Sequence, residues 1–212
     1  REVEKYCVEK YCEKYCCPKA SQAGPFPKTN MIKIFARFVA VAALGVAGLA
    51  QAQVEYVDPT IGGQGIMLEP TRPTVHLPNS MVRVYPVRKD QLDDQIHSFP
   101  LTIISHRLGE LFWLMPCDGT PDAGAWDRPQ AYDQEKLTPY YLSTRFDDSL
   151  IQTEFTPTER CGCFRFTFPS GKATVLLANR MTGSLSGSNN VVMGVERFHD
   201  MQAFVYGEFS AP

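Results

Sequence analysis

The chain has 212 residues, 44% apolar and 21% charged, an ordinary globular composition with room for one or two domains. Residues 53–212 carry 13 Lys+Arg against 19 Asp+Glu, a formal net charge of −6. Mildly acidic and without a basic stripe, this part is a poor candidate for binding nucleic acid or an anionic membrane.

Residues 1–30 repeat Glu-Lys-Tyr-Cys in degenerate form and then pass into a Pro/Ser/Gly stretch with almost nothing to build a core. Four of the seven cysteines, Cys7, Cys12, Cys16 and Cys17, lie there, without the C-x-x-C pairs or histidines of a zinc site. The segment is read as upstream sequence, translated in error or disordered. Residues 31–52 have the three parts of a secretory signal: Met31-Ile32-Lys33 with Arg37, the uncharged run Phe38 to Leu49, and Ala50-Gln51-Ala52 as an A-x-A cleavage site. The run is shorter than the ~20 residues that span a bilayer. Cleavage leaves Gln53 first in a periplasmic or secreted protein, with no membrane association afterwards. No cysteine directly follows the site, so no lipoprotein anchor is expected.

From residue 53 onward, short apolar or alternating runs bounded by Pro, Gly, Asp and Ser replace helical periodicity. Strands are predicted at Met81–Val87, Leu101–Ser105, Leu111–Met115, Tyr140–Phe146, Leu150–Phe155, Cys163–Phe168, Ala173–Ala178, Val191–Val195 and Ala203–Phe209. The fold class is all-β, a β-sandwich over 53–212. Phe164, Phe166 and Phe168 alternate with Arg165 and Thr167, so one face is buried and the other wet. With the turn residues Pro169 to Lys172 and the apolar run Ala173–Ala178, a hairpin is expected. Segments 57–79 and 116–139 read as loops. Cys161 and Cys163, two apart on one strand, are badly placed to bridge each other.

Few constellations carry chemistry. Gly62-Gly63-Gln64-Gly65 lacks the Lys-Ser/Thr ending of a phosphate loop. Asp93-Asp94 and Asp147-Asp148 could suggest glycoside hydrolysis, but neighbours on an extended chain point opposite ways. His106, in Ser105-His106-Arg107-Leu108-Gly109-Glu110, could hydrogen-bond sugar hydroxyls, although a solvated hairpin connection explains it as well. Trp126, among loop residues, could stack on a sugar; Trp113 reads as core.

Tyr56-Val57-Asp58-Pro59-Thr60-Ile61-Gly62, directly after a signal, resembles the mature start of family 92 glycoside hydrolases. Thr74 to Pro86, Ser105-His106 with Leu114-Met115-Pro116, and Tyr206 to Ser210 resemble further landmarks of that family in the same order. Two departures mark a divergent branch: Leu77-Pro78-Asn79-Ser80-Met81 replaces the family's Pro-Gly then Pro-Phe-Gly turn, and Arg107 stands where threonine is common. The resemblance implies the amino-terminal β-supersandwich of a calcium-dependent, inverting α-mannosidase, cut off before a helical (α/α)6 barrel. Catalytic carboxylates and calcium would then belong to that missing carboxy-terminal domain, none to this chain. His106 and Trp126 would sit at the rim of a pocket for a mannose-containing glycan. Two other readings stay open: an autonomous carbohydrate-binding sandwich without hydrolase activity, and a structural surface module without a sugar site.

Overall fold

The computed structural model describes residues 3–9, 54–61, 73–89, 92–103, 109–122, 124–125, 128–169 and 173–210. Every regular element among them is a strand: β1 Val3–Glu9, β2 Gln95–Ile96, β3 Phe99–Ile103, β4 Glu110–Asp118, β5 Gln130–Thr138, β6 Tyr141–Phe146, β7 Gln152–Pro157, β8 Cys161–Thr167, β9 Ala173–Ala178, β10 Thr182–Ser188, β11 Val191–Phe198 and β12 Met201–Phe209. They form a nine-stranded sheet in the order β10-β11-β12-β1-β8-β7-β6-β5-β2 and a three-stranded sheet β3-β4-β9. The described chain falls into two units, residues 1–12 with 58–212, and residues 13–57. The second is described only at 54–57, where Val57 N–H donates to Val54 O at 3.1 Å.

The core lies between the two sheets, and the expected all-β sandwich is what the chain forms. In the large sheet, register aligns Leu142, Phe155 and Phe164 in one row and Thr144, Thr153 and Phe166 in the next, all buried. Phe99 of β3 meets Phe146 and Phe164 with ring centroids 6.4 and 6.2 Å apart, and Phe155 lies 4.7 Å from Phe164. These tilted and edge arrangements are the ones the ring quadrupole favours. Gly162 makes room for the packing, because a Cβ there would lie 2.5 Å from Cε2 of Phe155.

Several expectations are corrected. Met81–Val87 is not a regular strand; Val84 bridges Val75 and Val87 bridges Ser98 only singly. Pro86 has no N–H for a ladder, and the turn at Asn79 (φ 60) aims Met81 N–H at Glu159 O instead. The segment is core nonetheless, with Val75, Val82, Val84 and Tyr85 buried. Segment 116–139 contains the end of β4 and all of β5. The latter was hidden because its residues are mostly polar and its ladder with β6 shifts register between Asp133 and Lys136, beside Gln134 at φ 53. The expected 164–178 hairpin does not form: β8 is flanked by β7 and β1, and β9 crosses to pair with β4 in the small sheet. Val3–Glu9, in the segment set apart from the domain on sequence, pairs antiparallel with both β8 and β12.

Candidate functional site

The wet face of the large sheet carries an organised polar cluster. Period-2 alternation puts Tyr141 of β6, Glu154 and Thr156 of β7, and Cys163 and Arg165 of β8 opposite the phenylalanine rows. Register sets Glu154 directly across from Arg165. Arg165 Nε donates to Glu154 Oε2 at 2.5 Å, its terminal nitrogen donates to Oε1, and Tyr141 O–H donates to Oε1 at 2.6 Å. Lys136 Nζ sits 6.0 Å from the Tyr141 ring centroid. Tyr141, Glu154 and Arg165, together with Phe155, Thr156 and Cys163, line a depression of about 360 Å3.

The electrostatics define what this cluster can do. Hydrogen bonds from Arg165 hold the Glu154 carboxyl below its ordinary range, against the opposing effect of partial burial. Burial pushes the Tyr141 phenol up, and its donation to Glu154 adds to that. A glycosidase general acid needs a carboxyl displaced the other way, toward the working pH. Tyr141, Glu154 and Arg165 are all groups that can hydrogen-bond hydroxyls.

Among the described residues two carboxyl groups are buried, and both are engaged. Glu196, fully enclosed, accepts from Phe112 N–H with Oε2 at 2.7 Å and from Met181 N–H with Oε1. Phe112 needs that support, because φ 54 is unfavourable for a bulky side chain and marks an irregularity in the β3–β4 ladder. Glu110 accepts from the Tyr85 hydroxyl and pairs with Arg180 at 3.3 Å, while Arg180 lies 5.4 Å over the Trp113 ring. These residues tie the small sheet to the crossing into β10.

The adjacent acidic pairs are turn residues. Asp93 accepts from Lys89 N–H at 2.8 Å and Gln95 N–H at 3.2 Å, and Asp147 precedes the turn at Leu150, φ 55. Asp58 accepts from both Thr60 N–H and Thr60 O–H, at 2.9 and 2.7 Å, which lowers its pKa and fixes the Asp58-Pro59-Thr60 turn. Among the described residues no disulfide joins Cys117, Cys161 and Cys163 to one another. His106, Trp126 and the Gly62 to Gly65 stretch lie outside the described residues. Alternation on sequence places Tyr141, Glu154 and Arg165 on wet faces, but only register brings them together, so sequence reasoning missed the cluster.

Residues 56–212 match the glycosyl hydrolase family 92 N-terminal domain. The chain belongs to this family. The family 92 domain also resembles the solved GH92 inverting mannosidase BT2199 of Bacteroides thetaiotaomicron VPI-5482, with TM-score 0.61 and 20% identity over 74% of this chain and 29% of that one. It likewise resembles the GH92 α-mannosidase BT3965 of the same species, solved with mannoimidazole, with TM-score 0.54 and 16% identity over 74% of this chain and 32% of that one. At those identities the likeness establishes the fold. The chain spans about a third of the length of either structure. A search of curated protein sequences returned no match.

Proposed function

We propose that this chain is the non-catalytic amino-terminal domain of an exported α-mannosidase acting on α-linked mannose in glycans. The observation that carries the reading is the match of residues 56–212 to the family 92 N-terminal domain. The engagement of the carboxyl groups supports the non-catalytic part: buried Glu110 and Glu196 are tied to backbone, Tyr85 and Arg180, and half-buried Glu154 is tied to Arg165. Calcium needs several converging oxygen ligands. Among the described residues no three His, Cys, Asp or Glu side chains converge. We assign the ion, with the acid and base, to a carboxy-terminal helical domain.

The outer face of β11 and β12 supports contact with such a domain. Register sets Val195 across from Phe204 and Met193 across from Tyr206, and Met193 and Phe204 are 52% and 47% exposed. An apolar row of this kind on a sheet face marks an interaction surface. His106 and Trp126 are proposed as rim contacts to the glycan on their chemistry, one to bond hydroxyls and the other to stack. Export with cleavage after Ala52 removes β1, so the mature domain would present the facing edges of β8 and β12 to a strand from elsewhere in a longer chain.

The 212-residue chain is tested on an aryl α-mannoside with millimolar calcium. No turnover is expected, and calcium-dependent release of the aryl group would overturn the reading. The depression at Tyr141, Glu154 and Arg165 favours one second reading, an autonomous carbohydrate-binding module. Calorimetric mannoside binding by the chain alone, abolished by Glu154→Gln, would establish that reading instead.

A further inference from the structure

The geometry points to β10 as a self-pairing edge through which two copies of this chain join their large sheets. Among the described residues β10 ends the nine-stranded sheet and bonds only β11, while the opposite end, β2, is two residues long. Its sequence is Thr182-Gly183-Ser184-Leu185-Ser186-Gly187-Ser188, and every residue except Leu185 is exposed. Sheet edges are normally blunted by charge, proline, a bulge or a cover. β10 has neither charge nor proline, and its ladder with β11 runs without a shift from Thr182↔Arg197 to Ser188↔Val191.

A second copy is the occupant because the strand is its own complement. A two-fold axis through Leu185 sets Ser184 against Ser186 of the other copy, Gly183 against Gly187, and Thr182 against Ser188. An isologous interface demands this self-match. Alternate residues of an edge strand direct both N–H and C=O outward. A two-fold centred on a residue pairs each residue with one of the same set, so every outward group meets another. Facing Ser–Ser and Thr–Ser pairs add favourable cross-strand contacts. The apolar rows also align: Phe204, Val195 and Ser184 of one copy continue into Ser186, Met193 and Tyr206 of the other.

Light scattering on the 212-residue chain after size exclusion, under reducing conditions and over a concentration series, tests this. The chain is expected to show a concentration-dependent dimer. Two double variants share the same two sites. Ser184→Lys with Ser186→Lys sets like charges opposite each other twice and should raise the dissociation constant at least about tenfold. Ser184→Glu with Ser186→Lys sets two opposite pairs and should restore a dimer that weakens with salt. A wild-type chain monomeric throughout would overturn the proposal. So would a dilysine variant that dimerises as tightly as wild type, which would place association on another surface, or a glutamate–lysine variant as monomeric as the dilysine one.

Discussion

Replacing Glu196 with glutamine keeps the shape of a fully buried side chain and turns one of its two acceptor oxygens into a donor. Either Phe112 N–H or Met181 N–H then loses its acceptor and faces an NH2 group that has none. Each buried donor left unmatched costs about 1–3 kcal/mol, so the pair costs about 2–6 kcal/mol. The positive φ at Phe112, 54°, also loses part of what holds it. Set against a typical domain stability of about 5–15 kcal/mol, this is a large share. With a urea slope of about 2 kcal/mol/M, the unfolding midpoint should fall by about 1–3 M with the slope unchanged. Urea titration followed by tryptophan fluorescence reads it. A loss below about 0.5 kcal/mol, the range of an ordinary surface substitution, would refute the assignment of Glu196 as the tie between the sheets.

Three further outcomes follow from the same geometry. Because Glu154 titrates lower in the folded chain than in the unfolded one, its contribution is complete above the ordinary carboxylate range and is lost as pH falls through the folded pKa; with Arg165 47% exposed it amounts to about 1 kcal/mol or less, and Glu154→Gln should flatten that acid limb in urea titrations at stepped pH. Gly162→Ala drives a methyl against the Phe155 ring at 2.5 Å and should cost about 1–3 kcal/mol by thermal or urea unfolding, whereas an unchanged midpoint would mean the ring moves freely. Deleting residues 1–52 removes two ladders, and amides of β8 and β12 that face β1 should exchange with deuterium at least about tenfold faster, while those of β6 hold their rate.

The parts of the fold legible in sequence are those where local pattern and tertiary environment agree. Ala173–Ala178 is an uninterrupted apolar run between breakers and forms β9 with the predicted bounds. Phe164 and Phe166 alternate with Arg165 because one face of β8 meets the core. The losses come where register or partner choice decides. β10 contains two glycines and four hydroxyl residues, a turn-like composition, and is a strand because β11 supplies its ladder. β9 looks like the return strand of β8, yet pairs with β4, since nothing in a local run states which sheet it joins. The candidate site follows the same rule: Tyr141 and Glu154 are 13 positions apart, and only pairing through β6, β7 and β8 brings Arg165 to both. His106 and Trp126 rest on their chemistry and the family resemblance alone.

Reading the coding DNA downstream of the Pro212 codon tests the account most directly. An open frame of several hundred further codons, with helical periodicity and carboxylate-bearing loops, is the predicted result and would supply the proposed catalytic domain. A stop codon immediately after Pro212 would contradict the account and leave a free-standing β-sandwich whose function must lie on its own surface.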